Sequence, residues 1–475
     1  MKSIIYTYYN LLLGSFLALL FVGADYSPID KSNISVKKSP NFIFYLSDDQ
    51  DQMDYGTYGN PKINTLNVDK LAKEGILFTN FYTAQAICSP SRSQIFTGMY
   101  PVKNGCMANH IGVKPNIKSI ATHLKKEGYE VVLAGKSHVK PNKVFNWSYY
   151  FGSIKKRYLP LNEIENYLKN VEKPFCLFLA SDFPHGPYPK NSKYTKTDIY
   201  KLPYHQSINN SMPGYYKNIE DDDKQLGAVL KLVDKYNFRN NSLFIYASDH
   251  GKSGKWGLEE QGLKVPFIVR WPGHIAPNTK SDILLSLVDV LPTFLEALNS
   301  KIPDNIDGKS FYKALKGNTN EIHEYIYGVA TKQNIRECKV FPSRMVRGKR
   351  YKLIKNFNSM EIFEKNMGSN KVINEFIRIG AKSFPKVPFE ELYDLKIDPF
   401  QKNNLAKDSK YKKIKSKLSK ELKNWMIDQN DFLLVESMPL IKPSLHPLDK
   451  NSKWNKVNPE FIEKLTQNDY IKLHY

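Results

Sequence analysis

Apolar residues fall along this chain in short blocks with two spacings. Asn41–Ser47 (NFIFYLS) is a continuous apolar run closed by Asp48 and Asp49. A run of that length without a polar face predicts a strand buried on both sides, with acids at its carboxyl end. Val68–Gly75 has helical spacing and a glycine stop, and so does Ile117–Gly128, which leads into a strand at Glu130–Ala134. Phe175–Ala180 reads as another buried strand and Ile219–Tyr236 as a helix. Ser242–Ala247 is a strand closed by Ser248-Asp249-His250, and Val265–Arg270 is one more. Strands alternating with helices predict an α/β fold, a large mostly parallel sheet sandwiched by helices.

Beyond about residue 320 the texture changes. Tyr325–Ala330 and Arg344–Lys355 are strand-like, the second broken by the turn sequence Arg347-Gly348-Lys349-Arg350. Glu391–Leu405 reads as loop and Lys410–Gln429 as helix. These elements predict a smaller α+β C-terminal domain with an antiparallel sheet. The expected organisation is a signal peptide over residues 1–24, a linker over 25–40, a catalytic domain over 41–320, and a C-terminal subdomain and tail over 321–475.

The leader reading rests on the apolar Leu11–Leu20 followed by the small residues Val22-Gly23-Ala24. It implies a secreted or periplasmic protein with no stable membrane insertion after cleavage. No second apolar stretch approaches the ~18 residues of a membrane helix. Cys88, Cys106, Cys176 and Cys338 are too few and too scattered for a disulfide framework.

Charge adds a partner class. Lys and Arg number 69 against 47 Asp and Glu, a formal net charge of +22, which fits an acidic partner. Zinc-finger spacing and RNA-binding aromatic motifs are both missing from the sequence, and an exported chain rarely meets nucleic acid as its proper target, so an acidic polysaccharide fits better.

Polar clusters recur just after apolar strands: Asp48-Asp49, Lys136-Ser137-His138, Asp182–His185 and Asp249-His250. Ligands of open α/β sheets sit beyond the carboxyl ends of strands, so one site is expected to gather all four. Asp48, Asp49 and Asp249 supply hard oxygen donors, which suit Ca²⁺ or Mg²⁺ better than Zn²⁺.

Cys88-Ser89-Pro90-Ser91-Arg92, followed by Thr97-Gly98, resembles the C-x-P-x-R signature of the type I (formylglycine-dependent) sulfatases, of the alkaline-phosphatase-like superfamily. Further matches stand in family order. They are Gly135-Lys136-Ser137-His138, Pro184-His185-Gly186-Pro187, Ser248-Asp249-His250-Gly251, Gly254-Lys255, Trp271-Pro272-Gly273 and the C-terminal Glu391–Leu395 with Asp398-Pro399. The resemblance spans about residues 40–430.

What the resemblance implies is specific. A dedicated maturation enzyme would oxidise Cys88 to formylglycine, whose hydrate attacks sulfur. One Ca²⁺ or Mg²⁺ per chain would be held by Asp48, Asp49, Cys88, Asp249 and His250. Arg92, Lys136 and Lys255 would clamp the sulfate oxygens. His138 would act as base, and His185, with Lys255, would protonate the leaving oxygen. The implied activity is hydrolysis of sulfate esters on a sulfated polysaccharide or oligosaccharide. N-sulfoglucosamine sulfohydrolase and phospho- or phosphonate-monoester hydrolase activities fit the same motifs. A non-catalytic binder of acidic glycans does not, because Cys88, Arg92 and the acids are intact.

Three departures bear on substrate recognition. Asp182 stands where the family often has His, Thr65-Leu66-Asn67-Val68-Asp69 replaces its T-P-N-x-D, and the stretch from Asp249 to Pro266 is short. Arg344, Arg347 and Arg350, in the C-terminal hairpin, are expected to reach substrate.

Overall fold

β1 (Asn41–Asp48) is buried at every position. Its side chains alternate across the sheet, Phe42, Phe44 and Leu46 entering one hydrophobic cluster and Ile43 and Tyr45 another. The computed structural model describes residues 39–152, 157–331, 342–357, 388–434, 437–439 and 470–472, with 359, 361, 365 and 368. The leader, nearly all of the linker and Cys338 lie outside the described residues.

The other strands of the main sheet are β2 (Ile76–Tyr82), β3 (Glu130–Gly135), β4 (Tyr149–Phe151), β5 (Phe175–Pro184), β6 (Ser242–Ser248), β7 (Lys264–Arg270), β8 (Thr279–Ser281) and β9 (Leu285–Ser286). Their order is β4-β3-β5-β1-β6-β7-β2-β8, with β9 beside β2. The run from β4 to β6 is wholly parallel, and β7 is antiparallel to both its neighbours. Helices cover both faces, as the strand pattern predicts. Ile120–Lys126 and Val290–Ala297 pack on the Phe42 side, and Leu66–Lys73, Leu161–Asn170 and Met212–Lys235 on the Ile43 side.

β3, β5, β1 and β6 are parallel neighbours, so their carboxyl ends share one edge. Lys136, His185, Asp49 and Asp249 each follow directly from one of those ends.

A second sheet is antiparallel, ordered β10 (Ile326–Thr331), β11 (Pro342–Arg347), β12 (Tyr351–Asn356) and β13 (Glu390–Asp394). The helix Lys412–Asp428 seals it with Leu418, Leu422, Trp425 and Met426 against Val346, Leu353 and Leu392. No helix of the described residues is long and apolar enough to cross a membrane.

Several elements differ from the sequence reading. The long helix starts at Met212, not Ile219, because Met212, Tyr215 and Tyr216 bury its first turns in a separate aromatic cluster. The segment read as loop from Glu391 opens with β13, whose five residues pair with β12. So short a strand declares itself through pairing rather than through period. Ile76–Tyr82, which the sequence pattern does not set apart, is a strand through its pairing with β7, β8 and β9.

The hairpin arginines also part company. Arg344 is fully enclosed, its Nε and Nη2 donating to Asp431 at 2.5 and 3.0 Å. It therefore anchors the Lys412–Asp428 end of the C-terminal sheet instead of reaching substrate. Arg350 is bound to Asp394 at 2.7 Å, and Arg347 is buried over the ring of Tyr82. Removing the Asp431 carboxylate tests this reading. Asp431→Ala removes the carboxylate that the buried Arg344 guanidinium grips through two bonds and is expected to cost about 3–5 kcal/mol in urea unfolding. A loss under 1 kcal/mol would show that Arg344 does not depend on Asp431.

Candidate active site

Cys88 opens the helix Cys88–Thr97, and all ten residues of that helix are buried. A helix buried all round carries no polar stripe, so periodicity does not reveal it. Its polar side chains are satisfied locally. Ser91 Oγ donates to the Asp249 carbonyl at 2.5 Å, Thr83 Oγ1 donates to Ser91 Oγ at 3.0 Å, and Gln94 bridges Thr83 and the Ala84 amide. Asn109, from a loop, accepts the Ser89 amide at 2.9 Å and so caps the helix from outside. The helix thus delivers Cys88, amide end first, to the edge where β1 and β6 finish.

Ligand atoms of Asp48, Cys88, Asp249 and His250 lie within 4.8 Å of one another, all buried. The Cys88 thiol is 3.5 Å from Asp48 Oδ1, 3.4 Å from His250 Nε2 and 3.9 Å from Lys255 Nζ. Asp49 turns through a left-handed backbone (φ 63°), which aspartate tolerates. Its carboxylate meets Lys255 at 2.7 and 2.9 Å and His250 Nε2 at 3.1 Å. His250 Nδ1 faces the Gly251 carbonyl at 3.0 Å. A carbonyl only accepts, so the proton sits on Nδ1 and the Nε2 lone pair looks into the cluster.

The electrostatics are unequal. Burial alone would raise Asp48, but Lys136 and Arg92 outweigh it and hold its carboxyl well below the usual range. Burial and the charge of Asp48 push Asp249 up. Three buried carboxylates with one kept up by its neighbour are a donor set that a hard divalent cation fits. Asp48, Asp249 and His250, with Asp49 beside them, would hold it.

The cations take distinct places. Arg92 is wholly buried; its Nε meets Asp249 at 3.1 Å, its Nη2 meets Asp48 at 3.3 Å, and its Nη1 donates to the Lys136 carbonyl at 2.9 Å. Those contacts orient the two carboxylates and leave Nη2 without a hydrogen bond among the described residues. Lys136 bridges Asp48 and Asp182, the latter at 3.2 Å. Burial works against both ammonium groups. Asp48 raises Lys136 in spite of it, and the Cys88 sulfur and Asp49 raise Lys255.

His138 also sits in left-handed backbone (φ 55°), with Nδ1 buried and without a hydrogen bond among the described residues. Burial, Lys136 and Arg92 push its imidazole down to about 3. It is neutral at ordinary pH, so its free nitrogen can accept a hydrogen bond, but in this setting it binds a proton weakly. His110 Nδ1 lies 3.3 Å from His138 Nε2. The sequence gives no sign of His110, because its loop has no periodicity and only the fold brings it to His138. His185 stands at the mouth, its side chain 35% exposed, Nε2 3.6 Å from Asp49 and Nδ1 against the Gly186 carbonyl at 2.7 Å. Arg157 is likewise visible only in the structure; it pairs with Asp182 at 3.3 Å and donates to the Pro187 carbonyl at 2.9 Å.

As an unmodified thiol, Cys88 is a weak nucleophile. Burial, then Asp48, push it well above the ordinary cysteine value, against the pull of Lys136 and Lys255. The thiols of Cys88, Cys106 and Cys176 are free.

Comparison with known proteins identifies relatives of the chain. The Sulfatase family model matches residues 40–300, and the model for the C-terminal part of N-sulphoglucosamine sulphohydrolase matches residues 248–371. An ulvan-active sulfatase of Formosa agariphila is 49% identical, across 94% of this chain and 93% of its own. Two solved structures share the fold. One, a protein held with its substrate D-glucosamine-2-N,6-O-disulfate, aligns at a TM-score of 0.66 and 20% identity, covering 83% of this chain and 99% of that one. The other, a phosphonate monoester hydrolase of Agrobacterium radiobacter, aligns at 0.66 and 18% identity, covering 84% and 98%.

Two measurements check the site. The unfolded chain binds a proton at His138 below about pH 6.5, and the folded chain refuses it until about pH 3. Stability linked to this group therefore falls as pH drops through that window. Its imidazole resonance, assigned with His138→Gln, is expected to stay fixed between pH 8 and 5; movement centred near 6.5 would overturn the reading. Added Ca²⁺ or Mg²⁺ is expected to raise the melting temperature of the wild-type chain, by about 2.7 kcal/mol of stability at a hundredfold over Kd. Asp249→Asn is expected to lose that response; an equal response in both chains would place the cation elsewhere.

Proposed function

The chain belongs to the sulfatase family of the alkaline-phosphatase-like superfamily and is a sulfuric ester hydrolase, and from that premise we propose that it is an exported enzyme which desulfates a sulfated polysaccharide, using formylglycine made from Cys88 and a bound divalent cation, most simply Ca²⁺. The observation that carries the reading is the setting of Cys88. It lies at the amide end of a buried helix, 3.5 Å from Asp48 and 3.4 Å from His250, where a thiol stays protonated. Such a residue has the position of a nucleophile without the ionisation of one, and oxidation to an aldehyde hydrate removes that contradiction. The polysaccharide reading draws on the ulvan-active relative and on the basic surface charge. Export draws on the apolar leader.

When present, the hydrated formylglycine would supply a hydroxyl nucleophile, and the cation would supply positive charge for the sulfate oxygens. The chain's own groups do the rest. Lys136 and Lys255, 14% and 20% exposed at their side chains, reach the site from the end of β3 and from the loop after β6, and would meet sulfate oxygens with fixed charge. Arg92 keeps Asp48 and Asp249 turned inward. His138 would serve as base once the negative charge of a bound sulfate offsets the Lys136 and Arg92 charges that now hold its basicity down, and His185, at the open mouth, would protonate the leaving oxygen. A second reading, N-sulfate hydrolysis, is favoured by the match of residues 248–371 to the N-sulphoglucosamine sulphohydrolase C-terminal model. It uses the same groups on a different leaving atom.

Mass spectrometry of the Cys88 peptide, from a host with the maturation enzyme, is expected to show the aldehyde. Cys88→Ala is expected to lose at least about 10³-fold in kcat while keeping its fold. An unmodified Cys88 in fully active protein would overturn the formylglycine step. Sulfated oligosaccharides are expected to be hydrolysed far better than nitrophenyl sulfate, with the advantage shrinking as salt rises. Equal efficiency on both would move the substrate to small molecules, and faster release from N-sulfated glucosamine would establish the second reading.

A further inference from the structure

Beside the reaction centre lies a cavity of about 540 Å³ that the chemistry above does not use. That size is within the ~300–1,000 Å³ of small-ligand sites. The two places share a wall. Asp51, which lines the cavity, stands two residues past Asp49, and Gln261, also on its lining, packs its carbonyl against Gly251, next to His250. A Cβ at Gly251 would lie 1.8 Å from that carbonyl, so nothing larger than glycine keeps the wall this thin.

The floor of the cavity is unbalanced in charge. Glu260 is surrounded by Lys352, Arg347 and Lys264, three cations around one carboxylate. Both Glu260 oxygens are engaged, one by Lys352 at 2.9 Å and the other by Tyr82 Oη at 2.7 Å. Arg347 is 3% exposed, and its Nε is 3.5 Å from Glu260, without a hydrogen bond among the described residues. The half-buried Lys264 ammonium has no hydrogen-bond or ion-pair partner among them. Burial holds it below its ordinary value, with Arg347 acting the same way and Glu260 the other. The other acids on the lining are committed, Asp51 to Ser253 and Tyr204, Asp282 to Lys349 at 3.0 Å. Buried cations in excess of their counter-charges are costly unless an anion joins them. Tyr204 and Phe400, with ring centroids 6.0 Å apart, form an aromatic wall of the kind on which a sugar ring stacks.

We propose that this cavity is a second anion subsite, in which Lys264 and Arg347 bind an acidic group of the glycan, a uronate carboxylate or a further sulfate, against Tyr204 and Phe400. It rests on the carbohydrate reading above and adds what that reading lacks, a reason for the enzyme to prefer acidic neighbours of the residue it desulfates. Neither cation touches the reacting atoms; both act in binding.

Titration calorimetry on the full-length Cys88→Ala chain, which does not turn substrate over, tests the subsite with two probes. One is an unsulfated oligouronide and the other a sulfated oligosaccharide free of carboxylates. At least one probe is expected to bind, more weakly as salt rises, and Lys264→Met and Arg347→Met are each expected to weaken it at least tenfold. Lys264→Arg, which keeps the charge, is expected to restore binding, which separates loss of the subsite from loss of fold. A response confined to the oligouronide assigns a carboxylate, and one confined to the sulfated probe assigns a sulfate. Binding of neither probe, or binding that both Met variants leave unchanged, would overturn the proposal. Sulfate release by the wild-type enzyme is read separately. Oligouronide binding without sulfate release from any oligosaccharide would sink the carbohydrate reading alone, whereas release with binding insensitive to Lys264 and Arg347 would sink the subsite alone.

Discussion

Parallel strands that end together bring their following residues together, and here those residues are mostly charged. β1 and β6 place Asp48, Asp49 and Asp249 within one small buried volume. Negative charge at that density is prohibitive without compensation. Arg92 supplies it from within the Cys88 helix, spanning Asp48 and Asp249 at zero exposure, and Lys136 supplies it from the end of β3. The rest of the centre follows from this balance. The helix must be buried to bring Arg92 in, and burying it brings Cys88 to the acids.

That dependence explains which parts the sequence disclosed. Long strands buried on both faces, such as Phe175–Ala180 and Ser242–Ala247, show as apolar runs because nothing polar can interrupt them. The strand-end polar clusters were legible for the same reason, since a polar group after such a run has to lie at an edge. The Cys88 helix was legible only as a motif, because it is buried all round and its polar side chains are satisfied inside the protein, Ser91 by the Asp249 carbonyl and Gln94 by Thr83 and the Ala84 amide. His110, Asn109 and Arg157 were invisible for a similar reason. Each acts through a neighbour that only the tertiary fold provides, His138, Ser89 and Asp182 respectively.

The same physics redistributes the basic residues. A net charge of +22 invites the view that the hairpin arginines form one substrate-facing surface. They do not act as a group. Arg344 is held by Asp431 deep in the C-terminal sheet, whereas Arg347 and Arg350 both line the cavity, Arg347 buried and Arg350 paired with Asp394 at half exposure. Strand alternation accounts for part of this. Arg344 and Arg347 are three residues apart on β11 and so leave it on opposite faces, which composition does not register.

Asp182 shows how a departure from the family pattern is accommodated. A carboxylate there adds negative charge beside Asp48 and competes for Lys136, which it meets at 3.2 Å. Unanswered, it would draw that lysine away from the substrate side. Arg157 answers it, pairing with Asp182 while its Nη1 donates to the Pro187 carbonyl and its face lies 4.3 Å from the Phe183 ring. The pair is about one quarter exposed at each side chain, so it is open to solvent where the mouth begins. Lys136 is then shared between an inner acid that belongs to the centre and an outer one that belongs to the mouth. A substrate hydroxyl near the scissile group would meet a carboxylate there in place of an imidazole. The exchange therefore changes the charge the mouth presents while leaving the charge around Cys88 to Arg92 and Lys136.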